Sequence, residues 1–225
     1  MPTEIARVPG GMTDNPVHVA AVLLAGGQAR RMGGGDKSLR LLGGKTILAH
    51  IVDRIVTQTG MVLLNANGDT ERFADTGLPV ARDVVEGFAG PLAGILTGLE
   101  WMQANQPGIT HIVSCPTDAP FIPEDLVTRL VTAVSDAGAD IGCARSGERT
   151  HPVVGLWPVA LAEPLREALT VRDIRKIDRW TAEYSVAYAD WPVVPVDPFF
   201  NVNRPEDLAL AEELLSGRGL AGVRK

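Results

Sequence analysis

Residues 18–37, HVAAVLLAGGQARRMGGGDK, decide the fold of this chain because they join a short apolar run to a glycine-rich polar segment. The run at residues 18–24 is typical of a strand buried on both faces of a parallel sheet. In the polar segment, glycines let backbone N–H groups approach an anion, and Arg30, Arg31 and Lys37 add positive charge. The pattern predicts a polyphosphate-binding loop. A solvent-exposed loop with a charge cluster is the alternative, which the position after a first strand disfavours.

Two common nucleotide-binding patterns are absent from this region. The dinucleotide pattern G-x-G-x-x-G is missing, because Gly26 and Gly27 are adjacent and the next glycine is Gly33. Residues 43–46 end in the G-K-T of a P-loop, but the first glycine of that motif would fall on Leu39. We therefore interpret residues 43–46 as a turn that leads into a helix.

Strands and helices alternate along the rest of the chain. Apolar runs predict strands at residues 61–64, 79–82, 110–114, 140–144, 152–156, 185–188 and 193–196. Helical spacing and capping signals predict helices at residues 47–56, 69–75, 92–104, 123–137, 164–169, 173–179 and 205–215. Such alternation implies crossover connections and a mostly parallel sheet. We expect a single Rossmann-like three-layer α/β domain at residues 17–217, with tails at residues 1–16 and 218–225.

The composition is that of an ordinary globular protein. Hydrophobic residues make up 45% of the 225 residues and charged residues 21%, with a mean hydropathy of +0.10, which excludes a disordered chain. A net charge of −6 argues against general nucleic-acid binding. The apolar runs are too short to span a membrane, and residues 1–15 do not resemble a signal peptide. The two cysteines, Cys115 and Cys143, do not form a disulfide framework. We expect a cytoplasmic protein that binds neither nucleic acid nor membranes.

The glycine-rich loop resembles that of a known family. Residues 24–37, LAGGQARRMGGGDK, are similar to the signature of the molybdenum cofactor guanylyltransferases (MobA), within the NTP-transferase superfamily. Relatives that act on sugar phosphates, and cytidylyltransferases, usually begin this loop with L-A-A-G. The additional glycine leaves room at the base-binding edge and favours guanine. The resemblance extends over residues 18–215 and implies a fold of the nucleotide-diphospho-sugar transferase type.

Other blocks resemble the nucleotide-binding part of the family. Asn65 begins the segment N-A-N after the second predicted strand, and Asp83 follows the third, where the family keeps an acid near the guanine or ribose. We interpret Asn67, which a glycine follows, as a turn residue. Residues 90–94, G-P-L-A-G, also match the family, although Ala89 stands where many relatives have proline. The resemblance implies a GTP site formed by Leu24, Ala25, Gly26, Gly27, Lys37, Asn65, Asp83 and Asp118.

The block at residues 114–123, SCPTDAPFIP, supplies the candidate metal ligand. Mg²⁺ is bound in proteins by one or two carboxylates together with substrate phosphates, and Asp118 follows a buried strand between two prolines. The resemblance matches Asp118 to the metal aspartate of the family; a turn or helix-capping aspartate is the alternative. Cys115 lies in no nucleophile-elbow motif, so we expect a buried structural thiol. The four histidines lack metal-ligand spacing, so no zinc site is expected.

Two more blocks match parts of the family near the acceptor and the phosphates. The segment R-T-H-P-V contains His151, a residue type that is more often structural when it stands alone. Residues 201–208, NVNRPEDL, contain Asn201 and Asn203, with Arg204 where the family usually has threonine. Alternation along an extended segment places both asparagines on one face, so either could contact phosphate. Asn203 could instead cap the helix that follows.

The resemblance implies a reaction in which GMP passes from GTP to the terminal phosphate of Mo-molybdopterin, with release of pyrophosphate. Lys37 and Arg31 would stabilise the α-phosphate and the leaving pyrophosphate, and Asp118 would hold Mg²⁺. The resemblance also implies transient contact with the molybdenum-insertion protein and with molybdoenzyme chaperones. Two alternatives stay open: a CTP-dependent molybdopterin cytidylyltransferase or another small-molecule nucleotidylyltransferase, and a non-catalytic nucleotide carrier on the same fold.

Overall fold

The computed structural model of the chain describes residues 17–26, 36–87 and 90–217. The predicted tails at residues 1–16 and 218–225 lie outside these ranges, as do Gly27 and Arg31 of the glycine-rich loop. Within them no helix is long and apolar enough to cross a membrane.

A seven-stranded sheet runs through the centre of the molecule. The strands of the described residues are β1 (Val19–Leu24), β2 (Leu41–Leu42), β3 (Lys45–Thr46), β4 (Val62–Asn65), β5 (Val80–Ala81), β6 (His111–Pro116), β7 (Ile141–Ser146), β8 (Arg149–Pro158) and β9 (Val186–Trp191). The sheet has the order β5-β4-β1-β6-β8-β7-β9, and within it β8 alone runs antiparallel to its neighbours. This confirms the predicted α/β fold with a mostly parallel sheet.

Helices cover both faces of the sheet. They are α1 (Ile47–Ile55), α2 (Pro91–Asn105), α3 (Leu126–Ala137), α4 (Ala162–Thr170), α5 (Ile177–Thr181) and α6 (Pro205–Leu215). Apolar residues of α1, α3 and α6 join one buried core, and those of α2, α4 and α5 join a second core on the opposite face. The result is the predicted three-layer arrangement, in which parallel strands with apolar side chains on both faces are hidden from water.

Helix α2 lies unusually close to β1. A Cβ atom added at Gly98 would come within 2.5 Å of the Val22 side chain, so only glycine permits this separation between the helix and the strand. Pro91 begins α2, one residue before the predicted start, because the first helical residue needs no N–H partner. The close contact fixes the start of α2 above the ends of the central strands.

The local structure differs from the sequence prediction in several places. Residues 43–46 belong to a hairpin of β2 and β3, whose turn places Gly43 and Gly44 at φ values of 57° and 87° that suit glycine. Residues 69–75 form a 3₁₀ helix at Glu71–Thr76 rather than an α-helix.

Two further differences concern the later part of the chain. Helix α5 begins at Ile177 rather than at residue 173, after Asp173 with a φ of 50°. The predicted strand at residues 193–196 is wrong, because Pro192 and Pro195 have no N–H group to donate to a neighbouring strand.

Candidate active site

Three parallel strands end at one edge of the sheet, and predicted site residues follow each of them. Leu24 ends β1, Asn65 ends β4, and Asp118 follows β6. The loops are joined directly: the hydroxyl of Thr117 donates to the Leu24 carbonyl at 3.3 Å, and the N–H of Ala25 donates to the Asn65 carbonyl at 2.8 Å. Ligands bind at this carboxyl edge in open α/β sheets.

Lys37 lies at the centre of this edge. Its Nζ is 3.1 Å from Asp118 Oδ2 and donates to Asn203 Oδ1 at 2.6 Å. A small cavity of about 50 Å³ is lined by Leu24, Ala25, Lys37 and Asp118 among others. The side chains of Lys37 and Asp118 are only 18% and 21% exposed, so their attraction is screened less than that of a surface pair.

Asp118 carries a buried oxygen, Oδ1, to which none of the described residues donates a hydrogen bond. A buried carboxylate oxygen without a donor is energetically unfavourable unless a cation or a ligand satisfies it. The described residues contain no group of three or more histidine, cysteine, aspartate or glutamate side chains that could enclose a metal by themselves. The site therefore suits a hard cation that takes its remaining ligands from substrate and water.

Asn203 binds Lys37 and is not the cap of the last helix. The backbone N–H groups of Asn203 and Arg204 both donate to Asp207 Oδ2 at 2.9 Å, which forms the start of α6. The capping alternative for Asn203 is therefore wrong, because Arg204 is the residue that precedes the helix and the Asn203 amide oxygen accepts from Lys37 instead. The segment is held against the site by the N–H of Val202, which donates to the Asp118 carbonyl at 2.8 Å.

The predicted base-binding residues form one hydrogen-bonded group. Asn65 Nδ2 donates to Asp83 Oδ1 at 2.9 Å and to the Ala81 carbonyl at 3.3 Å. Asn67 Nδ2 donates to Asp83 Oδ2 at 2.7 Å, and the N–H of Asp83 donates back to Asn67 Oδ1 at 2.9 Å. The interpretation of Asn67 as a simple turn residue is wrong, because both ends of its amide bind Asp83. These contacts fix the orientation of the Asp83 carboxylate.

Two residues that the sequence did not single out support the site. Asp36 Oδ1 accepts from the Ser38 N–H at 3.0 Å and so fixes the 3₁₀ turn that begins with Lys37. Arg72 Nε donates to Asp36 Oδ2 at 3.1 Å, and its Nη2 donates to the Asn67 carbonyl at 3.1 Å. Arg72 thereby joins the lysine side of the site to the base side. No local pattern marks it, since Asp36 lies 36 residues away in another segment.

Gly94 explains the match at residues 90–94. A Cβ atom at Gly94 would overlap Asn65 Oδ1 and come within 2.8 Å of Leu24 Cδ2. Gly94 and Gly98 are four residues apart on α2 and therefore lie on the same face of the helix. This spacing is the sequence signal that could have identified the close packing. Gly94 allows α2 to pack directly over Asn65, the predicted base-binding asparagine.

The remaining predicted residues lie in other surroundings. His151 is buried, with Nε2 2.7 Å from the Ser146 hydroxyl, which in turn donates to Asp197 Oδ1 at 2.9 Å, and its ring packs on Phe199. Burial lowers the pKa of His151, so its charged form is disfavoured. No hydrogen bond to the Asn201 side chain occurs among the described residues.

Cys115 is a structural thiol, as predicted. It is fully buried near the end of β6, and burial raises its pKa to about 12. A thiol with so high a pKa is not deprotonated near neutral pH and is a poor nucleophile.

Comparison with known proteins agrees with this geometry. The sequence model of the MobA-like NTP transferase domain matches residues 21–188. The molybdenum cofactor guanylyltransferase of Rhodopseudomonas palustris (strain HaA2) is 55% identical over 203 residues, which cover 90% of this chain and 94% of that protein. The protein of the same name from Bradyrhizobium sp. (strain ORS 278) is 56% identical over 196 residues, covering 87% and 92%.

A solved structure has the same fold. Molybdopterin-guanine dinucleotide biosynthesis protein A from Archaeoglobus fulgidus has a TM-score of 0.70 at 22% identity, with coverage of 88% of this chain and 99% of that one. The sequence relatives and the family match together decide the classification. This chain belongs to the molybdenum cofactor guanylyltransferase (MobA) family of nucleotidyltransferases.

Proposed function

We propose that this chain transfers GMP from GTP to the terminal phosphate of Mo-molybdopterin, forming the guanine dinucleotide cofactor and pyrophosphate with the aid of Mg²⁺. The names of its relatives support the substrates. The observation that carries the proposal is the pairing of Lys37 with Asp118 at the carboxyl edge of the sheet. A cation, and a carboxylate oxygen to which no described residue donates, are groups suited to bind a metal-bound polyphosphate.

Asp83 is the group we assign to recognition of guanine. Its two carboxylate oxygens accept from Asn65 and Asn67 and retain lone pairs for further donors. Guanine presents two adjacent donors, its ring N–H and its amino group, whereas the corresponding edge of cytosine presents one donor beside two acceptors. A carboxylate would therefore bind guanine in a bidentate manner and repel the acceptors of cytosine. Leu24, Ala25, Gly26 and Gly27 complete this side of the proposed site.

The unsatisfied oxygen of Asp118 supports its assignment as the metal ligand. When bound there, Mg²⁺ would neutralise charge on the phosphates. Lys37 lies against the same carboxylate and is held by Asn203, so its ammonium is oriented before the nucleotide arrives. We assign Arg31 to the same phosphates. Asn201 and His151 remain candidates for contacts near the acceptor, with His151 acting from a buried position.

The chemistry requires positioning more than proton transfer. An oxygen of the acceptor's terminal phosphate forms the new bond to the α-phosphorus of GTP, and the bond from that phosphorus to the oxygen that bridges to the β-phosphate breaks. The attacking oxygen is already anionic near neutral pH, so no general base is needed. Lys37 and Arg31 would stabilise charge on the transferred phosphoryl group and on the departing pyrophosphate.

Pyrophosphate release tests the proposal. The purified chain is incubated with Mo-molybdopterin and Mg²⁺, and GTP is compared with CTP, ATP and UTP. We expect release with GTP alone. Release with CTP would support nucleotidyl transfer but would overturn the assignment of Asp83 to guanine recognition. Binding of GTP without release of pyrophosphate would favour the alternative of a non-catalytic nucleotide carrier.

A further inference from the structure

One arginine links the two sides of the candidate active site through all three nitrogens of its guanidinium. Arg72 Nε donates to Asp36 Oδ2 at 3.1 Å, and Nη2 donates to the Asn67 carbonyl at 3.1 Å. Nη1 donates to the Asp69 carbonyl. The side chains of Arg72 and Asp36 are only 28% and 10% exposed, so this ion pair lies largely out of water and is screened less than a surface pair.

The lysine half of the site, defined as Asp36, Lys37, Ser38, Asp118 and Asn203, has contacts of its own that do not involve Arg72. Asp36 Oδ1 accepts from the N–H of Ser38 at 3.0 Å and from its hydroxyl at 2.7 Å. The ammonium of Lys37 binds Asp118 and Asn203. The local geometry around the lysine therefore does not depend on the bond between Asp36 and Arg72.

The base half of the site, defined as Asn65, Asn67, Asp83, Val84 and Thr97, is also held together from within. Both asparagines donate to the Asp83 carboxylate. The residue after Asp83 is fixed to α2, because the N–H of Val84 donates to the buried hydroxyl oxygen of Thr97 at 3.1 Å. Asp83 thus has an orientation that is set without Arg72.

A nucleotide has to span both halves. In the proposed function the base lies at Asp83 and the phosphates lie at Lys37, so one molecule of GTP contacts the two together. Two contacts on one ligand reinforce each other only when the protein holds them at the separation that the ligand requires. Lys37 and Asp118 are assigned to phosphate and metal, and their mutual contact is exchanged for contacts with the ligand. The bond between Arg72 and Asp36 uses no group assigned to substrate and can persist when the nucleotide binds.

We propose that Arg72 is a positioning residue that sets the separation between the lysine half and the base half, so that the chain binds an intact nucleotide more tightly than its separate parts. The inference rests on the proposed function for the identity of the two subsites. Lysine cannot replace this arginine, because a single ammonium lacks the planar fork that reaches a carboxylate and two loop carbonyls together. Arg72→Lys therefore keeps the charge and removes the link.

Binding of GTP and of its fragments tests this role without turnover. Displacement of a fluorescent GTP analogue gives Kd values for GTP, guanosine and tripolyphosphate in the presence of Mg²⁺. For Arg72→Lys we expect GTP to bind about tenfold to a hundredfold more weakly, and each fragment to change by less than about threefold. Unchanged GTP binding would overturn the proposal. So would a loss for either fragment as large as that for GTP, because a damaged half would then explain the result.

The matched control is Arg166→Lys. Arg166 donates through Nε and Nη2 to Glu100 at 2.6 Å each, and this pair joins α4 to α2 at a comparable exposure. We expect the two lysine variants to lose similar stability in urea unfolding, with weaker GTP binding in Arg72→Lys alone. An equal loss of GTP binding in Arg166→Lys would contradict a specific positioning role.

A double variant separates charge from position. Arg72→Ala leaves the carboxylate of Asp36 beside Lys37 without its cation, so tripolyphosphate should also bind about tenfold more weakly. Adding Asp36→Asn removes that negative charge and should restore tripolyphosphate binding, whereas GTP binding should stay weak. Recovery of GTP binding together with tripolyphosphate binding would show that Arg72 acts through charge alone and would overturn the proposal.

Turnover distinguishes failure of this inference from failure of the proposed function. If the unmodified chain releases pyrophosphate from GTP and Arg72→Lys has an unchanged KM for GTP, the inference fails while the transferase activity stands. Absence of release by the unmodified chain would contradict the proposed function, and a loss of binding confined to intact GTP would still support the positioning role. Absence of GTP binding by the unmodified chain would overturn both.

Discussion

The ammonium of Lys37 lies 3.1 Å from the carboxylate of Asp118, although 81 residues separate the two along the chain. The contact joins the start of the segment after the glycine-rich loop to the end of β6. Asn203, from the segment before α6, binds the same ammonium at 2.6 Å. Three segments that are distant in sequence thus meet at the ammonium of Lys37.

Replacement of Asp118 should abolish transfer and leave the fold intact. We expect Asp118→Ala to lower kcat for pyrophosphate release by at least about a hundredfold, because the proposed metal ligand is lost. Asp136→Ala is the control, and circular dichroism verifies folding. A normal rate from Asp118→Ala at ordinary Mg²⁺ concentrations would refute the metal assignment.

Replacement of Lys37 should impair the use of GTP. Lys37→Ala removes the cation proposed to contact the α-phosphate and pyrophosphate, and we expect kcat/KM for GTP to fall by about a hundredfold. Lys45→Ala serves as a matched control, since Lys45 forms a 2.8 Å pair with Asp53 on the surface, where such pairs contribute little. Similar losses in the two variants would argue against a specific role for Lys37.

Replacement of Asp83 should weaken selection of guanine. Asp83→Asn changes one carboxylate oxygen into a donor that opposes the donors of guanine, so kcat/KM for GTP should fall by about tenfold to a hundredfold relative to that for CTP. Asp75→Asn, at an exposed position of the nearby 3₁₀ helix, is the comparison variant. An unchanged ratio of GTP to CTP would place guanine recognition elsewhere.

A methyl group at position 94 should disturb both stability and GTP binding. In Gly94→Ala the added Cβ would overlap Asn65 Oδ1, so α2 or the asparagine must move, at a cost of about 1–3 kcal/mol in unfolding free energy. The KM for GTP should rise as Asn65 shifts. Gly108→Ala, where a Cβ meets nothing within 4 Å, should show neither effect in urea unfolding or kinetics. A Gly94→Ala variant with native stability would show that the contact relaxes freely.

The buried histidine should make stability depend on pH. Burial lowers the pKa of His151 below its ordinary value of 6.5, so the unfolded chain takes up the proton first as pH falls. Its contribution to the unfolding free energy is complete above pH 6.5 and declines as pH drops from there toward the lowered folded pKa. His111, whose pKa burial also lowers, acts in the same direction. Urea unfolding of His151→Gln should therefore show a shallower decline between pH 7.5 and 5.5, and an equally steep decline would contradict this account.

The order of strands and helices could be predicted from the sequence because it depends on local patterns. The apolar run of β1 and the glycine-rich loop after it are contiguous, as are the proline and apolar positions that begin α2. The prediction failed where local signals compete. Residues 193–196 are apolar enough for a strand, but the prolines around them remove the backbone donors that a ladder requires.

The sequence by itself determined the fold class, the place of the candidate site at the strand ends, and the candidate residues Lys37, Asp83 and Asp118. Only the tertiary structure decided their partners: Asn203 binds the lysine, and Arg72 reaches Asp36 from 36 residues away. Such pairs depend on the register of parallel strands and on the path of the connections between them. Local sequence patterns do not specify that geometry, because it is set when the apolar faces of helices and sheet pack against each other.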